Sequence, residues 1–209
     1  MSAATPTPST PTSSAANSTS WDDEADVIVV GFGGAGVTAA LEAVDNGADT
    51  LVLERFGGGG ATRMSGGVFY GGGGTPYQKE AGFEDTPENM YNYLTQEVRG
   101  VVKDETLRTF CKQSPGNLQF LEDNGVVFGP NFCTFKTSYP IDKYNLYYSG
   151  NESFLPFTQT SEPAPRGHKP IGKGMGGRDF YDPLRKAAVE KGVRVRCQSK
   201  VTRIITGED

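Results

Sequence analysis

The chain has 209 residues, 25 acidic against 20 basic side chains, a formal net charge of −5 and 36% hydrophobic residues. That length supports one domain, or one with an appended subdomain, around a real core. The acidic balance, with no basic run, argues against nucleic acid as a partner, and no apolar stretch approaches the ~20 residues that span a bilayer, so no transmembrane segment is expected.

Residues 1–20 are uncharged and have neither the basic start nor the apolar centre of a secretory signal. A disordered tail is expected there, with structure beginning near Trp21. Asp26–Arg55 then reads as a short apolar strand, a glycine turn, an amphipathic helix and a second strand that ends in an acid. Gly31, Gly33 and Gly36 have GxGxxG spacing directly after the first strand and open the helix; Glu54 follows about 20 residues later. Gly31 permits the tight turn, Gly33 lets the backbone approach a pyrophosphate, and Gly36 lets the helix pack closely on the strand. The helix N-terminus offers free N–H groups and partial positive charge to phosphates, and Glu54 can accept hydrogen bonds from a ribose. A lone GxGxxG is weak evidence, but with strand, helix and acid in place the motif predicts dinucleotide binding. Val37, Ala40, Leu41 and Val44 recur at helical spacing, and Asn46-Gly47 ends the helix.

Glycines concentrate again from Gly57 to Gly74. Within this stretch Gly59–Gly67 combines paired glycines with Thr62 and Ser65, as suits a loop on which a flat ring system can lie against backbone. Thr86-Pro87-Glu88 predicts a capped helix to about Arg99. Asp104 is expected to cap another, which Pro115 should break or kink and Asn124-Gly125 should stop. Phe128–Pro170 is rich in Tyr, Phe, Pro and Asn without periodicity, as expected of long ordered loops. Asp182-Pro183 is expected to start a helix ending at Lys191-Gly192. Strands are expected at Val193–Cys197 and Val201–Ile205, and Gly207–Asp209 has the character of a turn awaiting another strand. The expected architecture is α/β: a Rossmann-like dinucleotide-binding domain with an incomplete parallel sheet and a helical, loop-rich insertion. Its divisions are a tail (1–20), a βαβ unit with its glycine loop (21–78), the insertion (79–171) and a return to the first domain (172–209). Cys111, Cys133 and Cys197 are scattered without CxxC spacing, which indicates neither zinc nor a disulfide framework and makes the cytoplasm the expected location.

Glu54-Arg55 followed by Gly-Gly-Ala-Thr-Arg-Met-Ser-Gly-Gly resembles the FAD-binding signature of the fumarate reductase/succinate dehydrogenase flavoprotein superfamily. Val68–Gln78, Thr86–Met90, Leu146–Glu152 and Ala164–Pro170 resemble its 3-ketosteroid dehydrogenases, in particular the Δ4-(5α) branch. The resemblance runs from about Trp21 to the last residue and implies FAD as cofactor. By position it assigns Gly31, Gly33, Gly34, Ala35 and Gly36 to the pyrophosphate, and Glu54, with Arg55 beside it, to the adenosine ribose. Gly60, Ala61, Thr62, Ser65, Gly66 and Gly67 are assigned to the pyrophosphate and flavin, and the Val201 backbone to the adenine.

The implied reaction removes two hydrogens from adjacent carbons next to a ketone, with a steroid-like apolar substrate and an unspecified electron acceptor. In that family the main catalytic tyrosines, a second flavin-contacting glycine region and most of the cap domain lie beyond the length of this chain. It is therefore read as an N-terminal part, and no catalytic residue is assigned. Tyr147 and Tyr148 are candidates to line a steroid pocket, although packing is the commoner role for such tyrosines. His168 has the form of a general base, but its Pro-rich loop favours a solvated or structural role. Arg166, Arg178 and Arg185 have phosphate-neutralising chemistry but simpler surface roles, and Cys111 is expected in the core. The alternatives are a fumarate-reductase-like enoate reductase, a noncatalytic flavin module, and NAD in place of FAD, against which the second glycine loop argues.

Overall fold

The structure is a computed structural model, and residues 21–206 are described. The tail expected over residues 1–20 and the turn expected at Gly207–Asp209 lie outside the described residues.

Strands β1 (Val27–Val30), β2 (Thr50–Leu53) and β6 (Arg194–Arg196) form an all-parallel sheet in the order β1-β2-β6. The register pairs Val27 with Thr50 and Val30 with Leu53, then Leu51 with Arg194. Helix α1 (Gly34–Asp45) makes the crossover between β1 and β2 and buries Val37, Ala40 and Leu41, the face its sequence periodicity predicts. Strand alternation points Val29 into this core, while Ile28 and Val30 are exposed on the opposite face.

Helix α6 (Gly177–Glu190) packs on α1 and adds Tyr181, Leu184 and Ala188 to the same core. It starts well before Asp182-Pro183, contrary to the sequence expectation, and Pro183 lies inside it. Helix α5 (Asp104–Asp123) likewise runs through Pro115, which neither ends nor splits it. Each proline removes one helical hydrogen bond, but buried residues continue on both sides. In α5 these are Leu107, Cys111 and Ser114 before or beside the proline, and Leu118 and Leu121 after it. Tertiary burial outweighs the local penalty. Helix α4 (Pro87–Val98), capped by Thr86, has the predicted bounds.

The glycine stretch is more ordered than a loop. It holds the short helix α2 (Gly60–Met64) and strand β3 (Phe69–Tyr70). The capping box of α3 (Pro76–Glu80), with Thr75 and Gln78 in reciprocal hydrogen bonds, is a local signal that the sequence reading passed over. Strands β4 (Leu146–Tyr147) and β5 (Gly167–His168) join β3 in an antiparallel sheet ordered β3-β5-β4. This sheet ties the glycine stretch to the loop-rich segment that follows α5. Residues 201–206 form no strand; they pair with no strand among the described residues, and Ile204 is 80% exposed.

Residues between Thr75 and Lys169 enclose a polar layer. Arg166, expected at the surface, is fully buried and pairs with Asp85 through Nε–Oδ2 (3.0 Å) and Nη2–Oδ1 (2.8 Å). His168 is also fully buried, with Nε2 3.0 Å from Thr75 Oγ1 and Nδ1 3.1 Å from the Arg166 carbonyl. Burial lowers its pKa from 6.5 to about 4. Folding therefore favours the neutral ring: the associated stability is complete above pH 6.5 and declines as pH falls toward 4. We expect Tm to drop across that window, from a contribution on the order of 3 kcal/mol. Calorimetry at pH 7.5 and pH 4.5 checks this, and a flat profile would contradict it.

Candidate dinucleotide site

The predicted turn lies at the C-terminal end of β1. Gly31 has φ +92°, the left-handed conformation that glycine adopts without strain, and its N–H donates to the Leu53 carbonyl (2.8 Å). A Cβ on Gly36 would overlap the Gly31 carbonyl oxygen and lie 3.0 Å from its carbon. The third glycine is thus required by the contact of α1 with its own turn. A Cβ on Gly33 would meet only the Gly59 oxygen, at 3.8 Å, and one on Gly31 would meet nothing within 4 Å. The first two glycines keep a cradle clear that side chains would fill.

Helix α1 begins at this cradle without a side-chain cap. The Gly33, Ala35 and Gly36 N–H groups find no acceptor among the described residues. Unpaired donors at the start of a 12-residue helix form a site for anionic oxygen. The Gly34 N–H is instead taken by Thr62 Oγ1 (3.1 Å). This bond joins the two glycine motifs that the sequence presents separately.

Glu54 is buried at the end of β2. Its Oε2 accepts from the Phe32 N–H (2.7 Å) and its Oε1 from the Phe56 N–H (2.6 Å). The carboxylate therefore has a structural part beyond the expected one: it ties the turn after β1 to the turn after β2. Each oxygen retains a lone pair for a further donor. Arg55 is exposed, its guanidinium 4.9 Å from the Phe56 ring centre. Gln198 and Ser199 donate backbone N–H groups to the Phe56 and Glu54 carbonyls (3.3 and 2.8 Å). These bonds bring the segment leading to half-buried Val201 to the same end of β2.

The second motif is fixed from below. Gly59 N–H donates to the Phe32 carbonyl (2.7 Å), and so does the Tyr181 hydroxyl (2.6 Å). Arg63 pairs with Asp182 of α6 (2.7 Å), which holds the Asp182 carboxyl below its usual range. Ser65 Oγ donates to the Thr62 carbonyl (2.8 Å) and accepts from the Gly67 N–H (3.0 Å). A cleft of about 890 Å³ opens beside this loop, lined by Gly34, Ala35, Ala61, Thr62, Ser65 and Gly67 with Phe69, Phe120 and Phe180 beyond. Gly31, Gly33, Glu54 and Arg55 do not line it; Gly31 and Gly33 form the cradle, and Glu54 is bonded to the Phe32 N–H beside it.

Other candidates are not in this constellation. Tyr147 is buried, and Tyr148 packs edge-on against Phe83 and Phe132. Arg178 and Arg185 are exposed, and Cys111 is buried. Tyr181 and Asp182 were missed by sequence reasoning. Their partners lie more than 100 residues away, and an amphipathic helix gives no local sign of them.

A family model described as the FAD binding domain matches residues 26–209. The chain is 43% identical over 197 residues to the 3-oxo-5-alpha-steroid 4-dehydrogenase of Comamonas testosteroni, covering 93% of this chain and 37% of that protein. Among solved structures, the 3-ketosteroid-Δ4-(5α)-dehydrogenase of Rhodococcus jostii RHA1, in complex with 4-androstene-3,17-dione, superimposes with a TM-score of 0.84. The identity is 42%, over 87% of this chain and 39% of that one. A flavocytochrome c3 fumarate reductase in its open conformation matches with a TM-score of 0.69 at 27% identity, over 88% of this chain and 28% of that one. The chain thus spans well under half the length of these relatives.

Proposed function

The chain belongs to the FAD binding domain family, and on that premise we propose that it is the FAD-holding part of an oxidoreductase that dehydrogenates a CH–CH bond next to the ketone of a 3-ketosteroid. The observation that carries the cofactor half of this reading is the clear cradle at Gly31 and Gly33, faced by the unpaired N–H groups of α1. The substrate half rests on the likeness to the Comamonas and Rhodococcus enzymes.

The residues present fit the cofactor. Gly31, Gly33, Gly34, Ala35 and Gly36 would meet the pyrophosphate through backbone and helix dipole. Glu54, already oriented by two N–H groups, would accept from the adenosine ribose, with exposed Arg55 alongside and the Val201 backbone at the adenine. Gly60, Ala61, Thr62, Ser65, Gly66 and Gly67 would follow the pyrophosphate and flavin. FAD, when bound, supplies the two-electron acceptor for the dehydrogenation. Thr62 sets the spacing of the two glycine motifs, and Arg63–Asp182 holds the second motif to α6. We further assign residues 21–78 and 172–209 to one cofactor-binding unit and 79–171 to an insertion. No helix of the described residues is long and apolar enough to cross a membrane. The free state of all three cysteines supports a cytoplasmic setting.

The test is to purify the full-length protein, record its flavin spectrum and supply 3-ketosteroids with an artificial electron acceptor. Turnover with bound FAD is expected. Bound FAD with every 3-ketosteroid left unoxidised would sink the substrate reading, and reduction of fumarate or another enoate in the same preparation would replace it with the reductive one favoured by the flavocytochrome match.

A further inference from the structure

The Ser65–Gly67 loop and the start of α6 are joined backbone to backbone. The Gly177 N–H donates to the Ser65 carbonyl (3.0 Å), and a Cβ on Gly177 would lie 2.5 Å from that oxygen. A Cβ on Gly176 would lie 2.8 Å from the Gly66 carbonyl oxygen, and one on Gly67 2.8 Å from Gly177 N. One side chain from the distant insertion enters this junction. The Tyr139 hydroxyl lies 3.0 Å from the Gly66 carbonyl oxygen and 2.9 Å from that of Gly174, and it accepts from the Gly176 N–H at 2.9 Å. Its single proton is shared between the two carbonyls. Burial raises the phenol's pKa, so the hydroxyl keeps that proton.

The ring is held as closely as the hydroxyl. A Cβ on Gly66 would come within 2.6 Å of its Cε2, so the loop backbone rests on the ring edge. The ammonium of Lys169 lies 5.4 Å from the ring centre. Lys169 is completely buried, and its Nζ has no hydrogen-bond partner among the described residues; its nearest counter-charge is Asp142, at 3.6 Å. Asp142 in turn accepts from the Gly174 N–H (2.8 Å), so the Tyr139–Asp142 segment grips the 174–176 backbone at three points. A cation against an aromatic face is favourable when desolvated, which adds a second hold on the ring beside that of the loop.

We propose that Tyr139 is a positioning residue for the flavin: through the Gly66 carbonyl and the Gly176 N–H it sets the Ser65–Gly67 loop against the start of α6. This rests on reading Ser65–Gly67 as the loop along the flavin. It makes the aromatic insertion a determinant of how the cofactor sits, in addition to any part it has toward substrate.

The experiment compares full-length wild-type protein with Tyr139→Phe, and with Tyr144→Phe as a tyrosine of the same segment that does not touch the loop. The readouts are the FAD dissociation constant, the visible flavin spectrum, the flavin midpoint potential and Tm. Removing the hydroxyl is expected to weaken FAD binding about tenfold and to shift the flavin bands and potential, while Tyr144→Phe matches wild type. If Tyr139→Phe melts early, the flavin readouts are taken below the onset of its melt, where the folded protein still reports. Flavin binding, spectrum and potential that are indifferent to Tyr139→Phe would overturn the proposal alone. A wild-type protein that takes up no FAD would overturn the cofactor reading, and this proposal with it.

Discussion

Replacing Gly36 with alanine is expected to remove both the fold of the β1–α1 turn and the binding of FAD. The added Cβ would overlap the Gly31 carbonyl oxygen, a backbone atom whose peptide plane also carries the Phe32 N–H, so moving it aside disturbs the Phe32–Glu54 hydrogen bond. Overpacking against side chains costs about 1–3 kcal/mol, and a rigid backbone neighbour puts this case at the upper end or beyond. Gly33→Ala is the informative companion. Its Cβ would meet only the Gly59 oxygen at 3.8 Å, and Gly33 has a negative φ of −90° that alanine tolerates. This variant is expected to keep its unfolding free energy within about 1 kcal/mol of wild type while losing roughly ten- to hundredfold in FAD affinity, because the methyl fills the cradle. Thermal melts and flavin titration of the two variants separate the roles. Equal loss of stability in both would mean that Gly33 serves the fold and not the ligand.

The second large effect is expected from Asp85→Ala. One buried carboxylate accepts from Arg166 twice, from the Gly73 N–H, from Gln78 Nε2 and from Asn89 Nδ2. Burial pushes the Asp85 carboxyl up, but Arg166 and these other donors outweigh it and bring the group below its ordinary value. Truncation leaves the fully buried Arg166 without its counter-charge, which costs ~3–5 kcal/mol. For a chain of this size the midpoint of thermal unfolding should fall on the order of 10 °C. Because Asp85 has a lowered pKa in the folded state, its contribution is present above the ordinary carboxylate pKa and is lost as pH falls below it. Acid therefore acts on this buried polar layer twice, first through His168 and then through Asp85. A variant that melts with wild type would show that Arg166 does not depend on Asp85 as its counter-charge.

The cofactor half of the site is legible because it is local. Strand alternation, the period of α1, the spacing of Gly31, Gly33 and Gly36 and the position of Glu54 all act within 30 residues, and backbone sterics leave few alternatives for such a pattern. The Thr86 cap and the Asn124 stop are legible for the same reason. The start expected at Pro183 and the break expected at Pro115 did not occur because a proline is a local penalty of a few kcal/mol. The decisive terms were apolar surfaces buried by residues far away in sequence, Leu118 and Leu121 for α5 and Tyr181 and Leu184 for α6. The strand expected at 201–205 failed for a related reason: β-propensity needs a hydrogen-bonding neighbour before it becomes a ladder, and the described residues provide none there.

The sequence by itself therefore determined the class of fold, the glycine turn after β1 and the acid that ends β2, since each is written in short-range spacing and backbone geometry. Tertiary structure alone decided that Thr62 occupies the Gly34 N–H, that Glu54 is a tie between two turns, that Arg166 is a buried ion and not a surface charge, and that Tyr139 reaches the Gly66 loop. These contacts join residues 22 to 81 positions apart. A polar side chain reads the same in sequence whether it meets water or a buried partner, and only the folded packing chooses between them.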